Sequence, residues 1–213
     1  TGPCLTNAFA SQRQDTTGLI LTDLGATTRI IAAVGTRGFE TPVQPDLNQN
    51  GANGIYRGTV PASGCPVDFA LVSRADNGWP AGTGGGAPTP ANSIGRIDLA
   101  IAPSDPNVLY AQVGNIPNGG SPVILGVWRS GDGGNSWTQQ IGDISGAGTQ
   151  SWYNAGMAVH PTEPNTVILS AFRTFRSTTG GTSFSSMGSA PHVDHHARSF
   201  VNNDPNRLLI GTD

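Results

Sequence analysis

Five residues, His192-Val193-Asp194-His195-His196, form the densest run of chemically active side chains in the sequence. On an extended backbone alternate side chains share a face, so His192, Asp194 and His196 would project together. Two imidazoles and one carboxylate on one face can hold a divalent metal, or serve as acid and base. The same groups can equally form a hydrogen-bonded polar network with no chemistry. Asp98, in Arg96-Ile97-Asp98, is the carboxylate that would partner Asp194 in a catalytic pair, or else simply pair with Arg96. Trp152-Tyr153-Asn154 supplies two flat rings. These can stack on a sugar, with His192 and His196 beside them, or pack as ordinary interior.

Composition narrows the field. The chain has 30 Gly and 16 Pro in 213 residues, and charged residues are 12%. That is turn-rich and all-β in character. The net charge of −3 and the absence of any basic run give nucleic acid or an anionic membrane no electrostatic hold. All the cations are Arg, so a Schiff-base lysine and a P-loop lysine are excluded within this sequence. Serine-triad and clustered-cysteine zinc motifs are absent as well. No stretch approaches the ~18 apolar residues that a membrane helix needs. Cys4 and Cys65 can pair as a disulfide or remain two thiols.

The elements that must position these residues are announced by Trp128-Arg-Ser130-Gly-Asp132-Gly-Gly134-Asn-Ser-Trp137. It reads as strand, tight turn, strand. Ser130 and Asp132 can bond nearby backbone N–H groups, glycines accept positive φ, and Trp137 can fold back as an apolar anchor. A worn copy follows about one repeat length later, Arg176-Ser177-Thr-Thr179-Gly-Gly181-Thr-Ser-Phe184. It keeps the Arg-Ser lead, the glycines and the closing aromatic, but Thr179 replaces the aspartate.

The pattern Ser-x-Asp-x-Gly-x-x-Trp resembles the Asp box of sialidase-like β-propellers, the BNR repeat. The Pro-His-x-Asp-x-His-Ala run around Asp194 is similar to one in large secreted bacterial BNR-repeat proteins of glycosyl-hydrolase-like type. The resemblance implies that Ser130, Asp132, Gly134, Trp137, Ser177, Gly181 and Phe184 are structural. It also implies an all-β Asp-box propeller of about three four-stranded blades plus the start of a fourth. Residues 1–17 then form an irregular segment, 18–76 an eroded blade, and 77–93 a Gly/Pro loop. Residues 94–141 form a blade with an intact box, 156–187 one with a degenerate box, and 192–213 the start of the next. The turns at Pro106, Pro164 and Pro205 recur at one blade position, as do Arg57, Arg129 and Arg176. Recurrence of that kind marks scaffold.

Propellers close on ~4–8 blades. The chain is therefore expected to belong to a larger six- to eight-bladed propeller, completed by further blades or by another chain. Such a protein is expected to be secreted, periplasmic or at the cell surface. Two function classes follow from the resemblance. One is a scaffold or binding module for proteins or glycans. The other is a glycoside hydrolase using Asp98 and Asp194 at the mouth of the central channel. The sialidase machinery is incomplete here: Glu40 and Glu163 are the sole glutamates, and the Phe/Tyr-Arg-Ile-Pro motif is missing.

Overall fold

The computed structural model describes residues 15–35, 54–61, 69–74, 79, 94–115, 123–188, 190 and 192–213. The strands form three four-stranded antiparallel meanders and a final hairpin. The first sheet holds β1 (Asp15–Asp23), β2 (Thr27–Gly35), β3 (Gly54–Pro61) and β4 (Ala70–Leu71). The second holds β5 (Ile94–Ala102), β6 (Asp105–Asn115), β7 (Ile124–Ser130) and β8 (Thr138–Ile141). The third holds β9 (Gly156–Val159), β10 (Val167–Ser170), β11 (Thr174–Ser177) and β12 (Ser185–Gly188). The hairpin pairs β13 (His195–Phe200) with β14 (Leu208–Thr212).

Successive sheets meet through their first strands: β1 packs on β5, β5 on β9, and β9 on β13. This follows from the side-chain pattern. Along β6, Leu109, Ala111 and Val113 point into a core shared with Ile20, Ile31 and Ile55 of the first sheet. The alternate residues Val108 and Tyr110 point into a second core, shared with Met157, Val167 and Leu169 of the third. Both faces of the middle sheet are covered, so its strands read as continuous apolar runs. The outer face of β1 is different: Leu19 and Leu21 are 59% and 61% exposed, either side of buried Ile20. On β14, Leu209 is 63% exposed.

The two hairpin turns are built alike. Ser130 Oγ accepts the Gly134 N–H at 2.9 Å, and Ser177 Oγ accepts that of Gly181 at 2.9 Å. Asp132 Oδ1 accepts the N–H groups of Asn135 (3.0 Å) and Ser136 (2.9 Å). In the copy, the one oxygen of Thr179 accepts Ser183 N–H at 3.2 Å. Gly133, Gly134, Gly180 and Gly181 all have φ between 70° and 93°, as the turn demands. Trp137 is buried and its Nε1–H donates to Gly134 O at 3.2 Å. Each turn also docks on a proline turn, through Gly133 N–H to Asn107 O and Gly180 N–H to Asn165 O, both 2.9 Å. Phe184, the worn copy's closing aromatic, is half-buried against the second core.

Two of the recurring arginines bind backbone and neighbouring turns. Arg57 donates to Gly133 O, while Arg129 donates to the Tyr110 hydroxyl and to Asn165 Oδ1. Trp79, inside the expected Gly/Pro loop, is buried and stacks on Trp128 at 4.7 Å. The last strand of the first sheet is short, Ala70–Leu71. Cys4 and Cys65 lie outside the described residues.

Candidate functional site

Strand register gathers the candidate residues at one end of the inner strands. Ile94 pairs with Asn115, Gly156 with Ser170, and His195 with Thr212. Residues 150–155, 171–173, 192–194 and 213 are the connections leading into or out of those paired ends.

β13 begins only at His195, so His192 and Asp194 precede the strand. Asp194 stands at φ 62°, in the left-handed region, and its N–H donates to Phe172 O at 3.3 Å. A left-handed residue breaks the alternation that would have aligned His192, Asp194 and His196. His192 is exposed, and its Nδ1–H donates to Val193 O at 2.8 Å. His196 instead faces Asp213, with Nε2 2.9 Å from Oδ1. The metal site expected from these three residues is not assembled: among the described residues no three His, Cys, Asp or Glu side chains come together to hold one.

His195, which periodicity turned away from the site, is the residue that fixes this corner. It is 1% exposed. Its Nε2 lies 2.7 Å from His192 O, a carbonyl that can only accept, so Nε2 carries the proton. Nδ1 is then the acceptor for the Thr174 hydroxyl, 2.5 Å away. The ring thus ties the 192–194 turn down to β11.

That turn places Asp194 in an open cleft of about 320 Å³, lined by Gly148, Thr149, Gln150, Phe172 and Asp194. Asn154 lies buried beside it, and its Nδ2 donates to Asp194 Oδ1 at 2.7 Å and to Gln150 Oε1 at 2.9 Å. Next to the cleft, the Tyr153 hydroxyl reaches Asp213 Oδ2 at 3.2 Å. The Tyr153 ring meets His196 edge-on at 4.4 Å and Trp152 at 5.2 Å. The hydrogen bond to Asp213, and the negative charges of Asp213 and Asp194, hold the Tyr153 phenol above its ordinary range. The phenol therefore keeps its proton at neutral pH and donates it to Asp213, which leaves its oxygen as an acceptor for a ligand hydroxyl.

Asp98 does not join this cleft. Its carboxylate accepts the Met157 backbone N–H and lies beside Arg198 and Arg96. Burial raises its pKa, and the two guanidinium groups and the N–H bond oppose that rise. Burial likewise brings Arg198 down to about 10, against the pull of Asp98. The catalytic pairing of Asp98 with Asp194 is thus replaced by an ion cluster between β5, β9 and β13.

No family model matches the sequence, and no curated protein matches it. Solved structures do resemble it. An α-L-arabinanase of Penicillium chrysogenum, complexed with arabinobiose, superposes with a TM-score of 0.56 at 12% identity, over 92% of this chain and 52% of its own. An α-L-arabinofuranosidase of Fusarium graminearum, in complex with an iminosugar inhibitor, gives 0.54 at 15% identity, over 90% and 51%. The fold is a β-propeller. These two structures support a glycosidase-like propeller fold and not a sialidase or BNR-repeat fold specifically. The chain spans about half the length of these structures. In the propeller frame, the Asp194 cleft, Tyr153 and Asp213 sit at one end of the central strands.

Among these residues, Asp213, Asn154 and His195 escaped the sequence reading. A Gly-Thr-Asp at the end of an apolar run gives no local sign of its role. Asn154 could have been found only as the polar residue following two aromatics.

Proposed function

We propose that this chain is part of a carbohydrate-active propeller of glycoside-hydrolase type, secreted, periplasmic or at the cell surface. The Asp194 cleft receives a sugar unit, and the carboxylates of Asp194 and Asp213 flank the Tyr153 phenol. The observation that carries this reading is the meeting of two carboxylates, a protonated phenol and an open cleft at one end of the inner strands. Glycosidases work with a pair of carboxyl groups across the scissile bond. A cleft of this size suits a small ligand, and rings such as Trp152 and Tyr153 offer sugars an apolar face. The propeller likeness to arabinan-active enzymes supports the same class. The two box-like turns agree with the Asp-box resemblance and serve as scaffold. Further blades, from the same polypeptide or another chain, cover the apolar faces of β1 and β14. Among the described residues no helix is long and apolar enough to cross a membrane.

The test is hydrolysis and binding of arabinobiose and a panel of neutral oligosaccharides by the full-length protein, against its Asp194→Asn and Asp213→Asn variants. Asparagine accepts the left-handed backbone at 194, so the fold should survive. Hydrolysis is expected to drop by roughly 10²–10⁴-fold in each variant while sugar binding persists. Binding without turnover in the parent protein would make it a glycan-binding module instead. Neither binding nor turnover across the panel overturns the reading.

A further inference from the structure

The segment from Trp152 to Met157 carries the aromatic residues of the site and then becomes β9. Its backbone is held by side chains from the second sheet and from the final hairpin. Arg96 Nη1, on β5, donates to Trp152 O at 3.1 Å and Tyr153 O at 2.7 Å. Gln112, on β6 and 1% exposed, accepts Gly156 N–H at 3.2 Å and donates to Ser170 O at 3.0 Å. Arg198 Nη1, on β13, donates to Gly156 O. Asp98, on β5, takes Met157 N–H and sits as counter-charge to Arg198 and Arg96. Gly156 is what lets Arg198 in: a Cβ there would stand 2.3 Å from Nη2.

We propose that Arg96, Asp98 and Arg198 form a partly buried charged clamp on the 152–157 backbone that sets Tyr153 in register with Asp213, making them positioning residues for the site. Three ionised groups in a partly buried cluster are costly unless paired. A packed apolar cluster would hold the sheets together as well. It could not grip carbonyls and N–H groups at four successive points along one strap. Tyr153 is itself 39% exposed, so packing around its ring holds it only in part. The positioning role rests on the proposed site, but the clamp itself can be tested without a ligand.

The test is the Tyr153 phenol itself, followed by ¹³Cζ NMR titration of the full-length protein. The groups facing it are the carboxylates of Asp213 and Asp194 and the imidazole of His196. The His196 ring is followed in the same series. In Arg96→Gln the Tyr153 midpoint is expected to fall toward that of an ordinary tyrosine, with Tyr56 and Tyr110 unmoved. Loss of a positive charge alone would push the midpoint upward. A fall therefore reports that the phenol has moved from Asp213. Gly156→Ala, which leaves every charge in place and crowds Arg198 out, should give the same downward shift. Should Arg96→Gln fail to fold, Gly156→Ala and Arg198→Lys decide the matter. An unchanged Tyr153 midpoint in the folded variants overturns the clamp, as does a common shift of all three tyrosines.

Discussion

Asp132 and Thr179 are the same position solved with two side chains, and the difference is measurable. Asp132 offers two oxygens: Oδ1 takes two backbone N–H groups and the Ser130 hydroxyl, and Oδ2 takes the Ser136 hydroxyl at 2.6 Å. Burial pushes this carboxyl up, but the bonds from Ser136, Ser130 and Asn135 outweigh it and hold it below the usual range. Asp132→Thr reproduces the turn at residue 179 and is expected to cost about 1 kcal/mol, the worth of the bonds to charge that one hydroxyl cannot replace. A carboxyl with a lowered folded pKa stabilises fully above its unfolded value of about 3.9. That contribution disappears as pH falls through the folded value. Urea melts of the two proteins should therefore differ at pH 7 and converge in acid. A gap that persists at low pH would mean that packing, not charge, separates them. This turn was legible in sequence because its partners lie within four residues of one another. The site was legible only in part, for the opposite reason. Asn154 meets Asp194 across forty residues, and Arg198 reaches Asp98 from another blade, so neither partnership leaves a local trace.

At the level of the strand, packing between sheets is closest where glycine removes the side chain. Gly35, at the end of β2, would put a Cβ 2.1 Å from Gly95 O on β5. A backbone carbonyl cannot swing aside as the end of a side chain can, so Gly35→Ala must wedge the first and second sheets apart. A cost of about 1–3 kcal/mol is expected, lowering Tm by roughly 2–4 °C for each kcal/mol. Gly142→Ala, where nothing lies within 4 Å of the added carbon, is the control and should be close to neutral. Equal losses in calorimetry would show that sheet contact is not what sets the cost at Gly35. The strands themselves followed from alternation and turn chemistry wherever both faces were buried, as in β6. Alternation failed at His192–Asp194 because tertiary bonds to Ala171 and Phe172 override local preference there.

For the molecule as a whole, the two end faces carry the remaining information. The middle sheets bury both faces and the terminal ones bury one. Leu19 and Leu21 stand out from β1 with the same alternation that sends Ile20 inward, and Leu209 does so on β14. Such leucines are consistent with a solvent-facing sheet only as scattered exceptions; in a row, they match the inward faces of the sheets that are covered. The proposed completion by further blades makes a definite claim about Leu21 in the full-length protein. There, Leu21→Asp places a charge in an interface between sheets and should cost several kcal/mol, through lost burial and an unpaired carboxylate. On an open surface the same change stays within about 0.5 kcal/mol. Hydrogen exchange adds an independent measure. If another sheet packs on β1, amides of β1 and β2 exchange only through wide opening of the fold, and Leu21→Asp speeds them before it affects β6. Uniformly fast exchange on β1 in the full-length parent, with Leu21→Asp silent, would leave that face uncovered and the propeller open.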